Sequence, residues 1–312
     1  MRKIMDIGIL LRYYRKLRDL SQFELAEKAE INEKYYSRIE RNENNPTYTV
    51  LNKIVTALDI KMTQFSIAAD GYCHYDYVFF PAEMKSGEFL KEISPRFVAE
   101  VLFNSRIHKV YLACSAKMSS MVLLENRKVN LCKNNSNSKY EYTLFTIDYG
   151  NVKIIVDLHA INKMFYELYC LSCLSGYHWY GEGKAEVNCE DYKTDYYFPQ
   201  EKIVVENKTI ISSETICKYP INNAKRIEQQ FGKLERLLNI GYDVRINFFI
   251  LSPWTNKIVF SEYFEDTMIK LKKMGAKFFF YYLFYEKDIL KVNRARITPS
   301  VGYYDIIFNL HK

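Results

Sequence analysis

The first 69 residues carry apolar positions at three- and four-residue spacing, interrupted at short polar points, and this pattern predicts four helices. Ser21 caps a helix beginning QFELAEKA, and Glu24 three residues later completes a capping box. Asn32 caps the next, EKYYSRIER, which stops at the polar run Asn42 to Asn45. Pro46 and Thr47 open a fourth, with Val50, Leu51, Ile54, Val55 and Leu58 on its inner face. Two short helices joined by a brief turn between supporting helices make a helix-turn-helix.

The period then changes. Residues 70–82 form an aromatic, helix-poor linker. Beyond it FVAEVLF, KVYLAC, KYEYTLFTI and VKIIVDL have strand length and composition, with KNNSNSK as a polar loop among them. Helical stretches follow at Asn162 to Leu174 and Ala224 to Leu238, with buried strands at Asp243 to Ile250 and Lys277 to Leu283. No internal repeat is visible, and the order predicts a β-rich domain followed by an α/β domain.

Composition alters this picture only at the margins. A chain of 312 residues accommodates two or three domains. A net charge of +7 permits a nucleic-acid partner without demanding one. The N-terminus alternates charged and apolar residues, unlike a signal peptide, and the run Phe278 to Phe284 is too short to cross a bilayer. A cytoplasmic protein with no membrane partner is therefore expected. Seven cysteines without framework spacing fit reduced thiols, and the lone pair Cys170/Cys173 reads as small buried residues on a helix.

One constellation carries chemistry. Asp195 lies in TDYYF, and Glu206 and Lys208 lie in the β-branched run IVVENKTII. Side chains two apart on a strand share a face, so Glu206 and Lys208 stand side by side, and a short turn after Pro199 would bring Asp195 opposite them. Two carboxylates beside a lysine suit a hard cation, Mg²⁺ or Mn²⁺, with the lysine positioning or deprotonating a water, which is phosphodiester-cleavage chemistry. The alternative is an ordinary Glu/Lys pair on the wet face of a half-buried strand.

The N-terminal residues Leu20-Ser21-Gln22, Leu25-Ala26, Ser37-Arg38-Ile39-Glu40, Pro46 and Ala57-Leu58 resemble the XRE (lambda-repressor-like) family. Where that family has glycines, this chain has Glu30 and Asn42. The resemblance implies that the helix from Asn32 enters the major groove of double-stranded DNA. It places Asn32, Glu33, Lys34, Ser37 and Arg38 within reach of DNA, and Gln22 at the phosphate backbone. Residues 1–69 hold 12 Lys/Arg against 9 Asp/Glu, so one copy should bind loosely, and a homodimer or a second DNA-contacting domain is expected.

Residues 86–290 resemble the sugar fermentation stimulation (SfsA) family. The segments that carry it are SPRFVAEVLF, the block KYEYTLFTIDYGNVKIIVDLHAINKMFYE with Asp157, Asn162 and Glu167, then AEVNCEDYKTDYYF followed by IVVENK, and finally MGAKFFFYYL. The resemblance implies an OB-like barrel over 83–144 and an α/β PD-(D/E)xK nuclease-like domain over 145–312. It puts Asp195, Glu206 and Lys208 in the catalytic places, with Asp195 and Glu206 as metal ligands and Glu167 or Glu186 as an accessory carboxylate. The chain departs from the family after Pro220, where only Arg226 persists and Gln229-Gln230 stand in place of a Lys-His pair. Two functions are in view: a DNA-targeted, metal-dependent nuclease whose barrel also holds single-stranded nucleic acid, and a transcriptional regulator whose nuclease-like fold serves binding or dimerisation.

Overall fold

The computed structural model describes residues 7–18, 20–60, 62, 65, 84–93, 97–114, 117–134, 138–170, 173–178, 180–220, 224–286, 289–300 and 302–308. The linker expected at 70–82 lies outside the described residues. The chain divides into two compact units: the N-terminal helices together with residues 164–179, and the strands with the remaining helices.

In the first unit α1 (Ile7–Leu17) precedes α2 (Gln22–Lys28), α3 (Glu33–Glu40) and α4 (Tyr48–Ala57), and these last three begin where the caps place them. Ser21 Oγ accepts from Glu24 N at 3.1 Å, and Glu24 returns a carboxylate to Ser21 N at 2.7 Å. Asn32 Oδ1 accepts from Tyr35 N, and Thr47 Oγ1 from Val50 N. Leu10, Leu11, Leu25, Ala26, Tyr36, Ile39, Ile54, Val55 and Leu58 form the interior. Val50 and Leu51, expected there too, are half-buried. Glu30 and Asn42 both adopt left-handed backbone, with φ of 53° and 56°, the conformation a glycine takes without cost. Asn42 also turns its Oδ1 to accept from Gly8 N at 2.9 Å.

The second unit opens with β1 (Met84–Ile93), β2 (Val98–Phe103), β3 (Arg106–Tyr111), β4 (Lys128–Lys133) and β5 (Tyr142–Tyr149). The pairings β1–β2, β2–β3, β3–β5, β5–β4 and β4–β1 close on themselves into a five-stranded ring, with β3–β5 its one parallel pair. Ala99, Val101, Val110, Val129, Leu131 and Leu144 are buried on these strands. The domain boundary expected at 144/145 falls inside β5, which then forms a hairpin with β6 (Val152–Ile155). Both residues there are buried, so the strand runs on without a polar break.

The helix α5 (Leu158–Cys170) starts four residues before the expected Asn162, because Asp157 caps it by accepting from His159 N and Ala160 N. It ends at Cys170, so Cys173 lies beyond the helix that the sequence pattern assigned to both cysteines. Short strands β7 (Lys184–Ala185), β8 (Asn188–Cys189), β9 (Tyr192–Lys193) and β10 (Tyr196–Phe198) lead into β11 (Ile203–Ile210) and β12 (Ile216–Tyr219). Then come α6 (Ala224–Asn239), β13 (Asp243–Ile250), β14 (Lys257–Phe260), α7 (Glu262–Lys273), β15 (Lys277–Glu286), β16 (Ile289–Ser300) and β17 (Tyr303–Phe308). β11, β13 and β15 run parallel at the centre, and β10 joins β11 antiparallel. Phe231, Leu234 and Leu237 of α6 and Phe264 and Leu271 of α7 are buried in the same core as β13. β13 is buried along nearly its whole length, as a strand covered on both faces must be. Among the described residues no helix is long and apolar enough to cross a membrane.

Candidate functional site

β11 carries the constellation, and alternation along it decides which side chain goes where. Glu206 and Lys208 share the face toward α6, while Asn207 between them points to the opposite face, toward α5. The antiparallel register Tyr196↔Val205 sets Asp195, one residue before β10, across from Glu206. Thr194 fixes that entry by donating its hydroxyl to the carbonyls of Tyr196 and Val205, both at 2.8 Å.

Each carboxylate is held by protein donors. Asp195 accepts from Asn162 Nδ2 at 2.8 Å and from the Asn207 main-chain N–H at 2.7 Å. Behind it runs a chain of amides: Asn247 donates to Asn207 at 2.8 Å, and Asn207 donates to Asn162 at 3.1 Å. Glu206, only 4% exposed, accepts from Lys208 Nζ at 2.5 Å and from the Tyr192 hydroxyl. Lys208 also donates to Gln230 Oε1 of α6 at 2.7 Å. Two adjoining cavities of about 320 and 370 Å³ share Asp195, Glu206, Arg226 and Gln230 in their walls.

Electrostatics follow from this crowding. Burial, and then the neighbouring Glu206 charge, push the Asp195 carboxyl up to about 7, against the pull of the Asn207 N–H, Lys208 and Asn162. Burial and Glu206 likewise raise the Tyr192 hydroxyl, which keeps it a hydrogen-bond donor.

The two accessory carboxylates are placed differently from each other. Glu167 is buried and counts with the N-terminal unit, outside both cavities. Five residues along α5 turn it about 140° away from Asn162, the position that meets Asp195. Glu186 lines the second cavity but is exposed and paired to Lys193 at 2.5 Å. Among the described residues no group of three or more His, Cys, Asp or Glu is arranged to hold a metal, so the acidic site is a pair. Tyr192, Asn207, Gln230 and Asn247 were not singled out from the sequence for roles here. Asn247 offered one signal, an amide inside the apolar run VRINFFI.

In the first unit α3 exposes Asn32, Glu33, Lys34 and Arg38, with Ser37 half-exposed. The side chain of Gln22 donates to the buried Glu40 carboxylate at 2.7 Å. The same carboxylate takes Arg15 through two nitrogens at 2.6 and 3.1 Å and the Tyr36 hydroxyl at 2.5 Å.

Comparison with known proteins matches residues 11–65 to the helix-turn-helix family model. A sugar fermentation stimulation protein homolog of Desulforamulus reducens is 23% identical over 171 residues, 54% of this chain and 71% of that protein. The homolog of Alkaliphilus metalliredigens is 20% identical over 228 residues, 69% of this chain and 97% of that protein. The chain joins an XRE-type helix-turn-helix domain to an SfsA-like region. The solved Ca²⁺ complex of Pyrococcus furiosus SfsA covers 69% of this chain and 95% of its own, with a TM-score of 0.57 and 18% identity, a likeness of fold. The SfsA-like region therefore spans nearly the full length of the A. metalliredigens homolog and of P. furiosus SfsA, and 71% of the D. reducens homolog, and the helix-turn-helix domain stands N-terminal to it.

Proposed function

We propose that the chain is a DNA-directed nuclease in which the SfsA-like region hydrolyses phosphodiesters at Asp195, Glu206 and Lys208 with Mg²⁺ or Mn²⁺. The observation that carries this reading is the carboxylate pair, Glu206 buried and Asp195 half-buried, with a lysine beside it, in a cleft with open volume. In this pair, burial and the neighbouring Glu206 charge disfavour ionisation of Asp195. Such a pair favours a hard cation with oxygen ligands, and the P. furiosus relative was solved with Ca²⁺. Asp195 and Glu206 would hold the metal, which when bound supplies positive charge for the phosphate and a water of lowered pKa.

The chain's own residues do the rest. Lys208, anchored by Gln230, is placed to orient a water or steady the departing charge. The amides of Asn162 and Asn207 hold Asp195 in place, and Arg226 in both cavity walls offers a cation to a phosphate. At the N-terminus, Asn32, Glu33, Lys34, Ser37 and Arg38 reach base edges of duplex DNA. Gln22 serves the phosphate backbone through its main-chain N–H, since its amide faces Glu40. The five-strand ring has the strand order of an OB barrel, and its rings Phe97, Tyr111 and Tyr140 stack at 6.1 and 6.5 Å, which suits a single strand.

One observation favours the regulator: both oxygens of Glu206 already have protein donors, a closed arrangement that a pure binding module would keep at no loss. The decisive assay incubates labelled single- and double-stranded DNA and RNA with wild type and Glu206→Ala, with and without EDTA. Cleavage by wild type alone, lost with EDTA, is the expected result. Equal cleavage by both proteins marks contamination, and no cleavage of any substrate favours the regulator. Thermal melts give a second readout. Because the folded Asp195 carboxyl is raised above its ordinary 3.8, its contribution to stability is full below pH 3.8 and fades as pH rises through about 7. In EDTA the melting temperature should fall across that window, and Mn²⁺ should flatten the fall.

A further inference from the structure

The sheet forks between β15 and β16. Their ladder runs from Glu286↔Ile289 to Phe280↔Ala295 and stops, although β15 reaches back to Lys277 and β16 continues to Ser300. Past that point β15 stays with β13, whereas β16 leaves with β17. Ala295 sits in the crotch and Ala276 just before β15, and such small side chains leave the wedge unfilled. The result is a groove of about 730 Å³, walled by Met268 and Ile269 of α7 on one side and by Ile297 and Tyr304 of the hairpin on the other. That volume and lining are typical of a small-molecule site.

Charge narrows the occupant. Lys272, Lys277, Arg294 and Arg296 line the groove against one carboxylate, Glu265, which takes the Tyr304 hydroxyl. Lys277 is paired to Asp243 at 2.8 Å, and Arg294 lies over the Phe279 ring. Lys272 and Arg296 are exposed and line an apolar floor. The fork closes the groove at the Phe280↔Ala295 pair, so it is blind at that end and unsuited to a chain running through it.

We propose that this groove binds a small organic anion, with an aliphatic or aromatic body on the alanine floor and a carboxylate or phosphate held by Lys272 and Arg296. The site lies outside the Asp195/Glu206 cleft, shares no lining residue with it, and does not depend on nuclease activity.

Calorimetric titration of the full chain tests it, with decanoate and decyl phosphate as probes and decyltrimethylammonium as the cationic control. Saturable binding of one anionic probe per chain is expected, and the stronger of the two identifies the head group. Lys272→Glu with Arg296→Glu should weaken binding by about tenfold or more, and Ala295→Leu should do the same by filling the floor. Should Ala295→Leu fail to fold, the charge reversals, which touch exposed side chains, still decide. No saturable binding of either anion, equal binding of the cationic control, or equal affinity in the charge-reversed protein would overturn the proposal.

Discussion

Glu40 is 1% exposed, yet its carboxylate takes hydrogen bonds from Arg15, Gln22 and Tyr36. Burial raises its carboxyl, but hydrogen bonds from Arg15, Tyr36 and Gln22 outweigh that and hold it below its ordinary 4.5. A depressed carboxyl contributes stability above pH 4.5 and loses it as pH falls through the folded value. Amide protection in α2 and α3 should therefore decline on acidification below pH 4.5, and the Glu40→Gln variant, less stable at pH 7, should show a flatter profile over the same range. Hydrogen exchange measured at several pH values checks this, and identical profiles would refute the role. Backbone conformation gives a second test at this scale. Glu30 has a φ of 53°, where a side chain costs about 1 kcal/mol, so Glu30→Gly should raise stability by up to that amount despite losing the exposed pair with Lys53. Gly8 is the reverse case: a Cβ there would lie 2.3 Å from the Ile39 carbonyl and 2.7 Å from that of Glu40. Gly8→Ala should cost about 1–3 kcal/mol in denaturant melts.

Among the elements, what could be read from sequence was what local chemistry dictates. The caps at Ser21, Asn32 and Thr47 are satisfied by neighbours three residues away, so helix starts in the first unit were legible. The strand carrying Glu206 and Lys208 was legible from its β-branched run, and period-two alternation put both on one face. Long-range pairing was not. β16 and β17 mix polar and apolar residues, and their pairing with distant strands leaves no short-range pattern, so neither was identified. The closure of β4 onto β1 joins residues some 45 apart, and no local signal specifies it. The amides behind Asp195 belong to this illegible class. Asn207 and Asn247 are register partners on parallel strands, a relation that exists only once β11 and β13 are aligned. Asn247 is fully buried, so Asn247→Leu would leave the Asn207 carbonyl without its donor. The change should cost about 1–3 kcal/mol in a denaturant melt and weaken Mn²⁺ binding measured by titration, whereas Asn247→Asp, able to accept but poor as a donor, should not rescue either.

At the scale of the molecule, the proposed function gives recognition and chemistry to different units, and that separation has a measurable consequence. Residues 164–179 count with the N-terminal helices, so a fragment ending at residue 69 would omit part of that unit, and the full chain is the right object to test. The N-terminal 69 residues carry only three more cations than anions, so duplex affinity should be modest and fall steeply as salt is added. Arg38 is exposed on α3 and contributes nothing to the core, so Arg38→Ala should cost about 1–3 kcal/mol of duplex binding while leaving the melting temperature unchanged. Glu206 lies on β11 in the other unit, and removing its charge should leave duplex affinity where it was. Fluorescence anisotropy of the full chain with labelled duplex over a salt series distinguishes the outcomes. Weakening by Arg38→Ala alone places recognition on α3. Equal weakening by both variants would mean that the duplex is held at the acidic cleft, and the division of labour between the two units would fall.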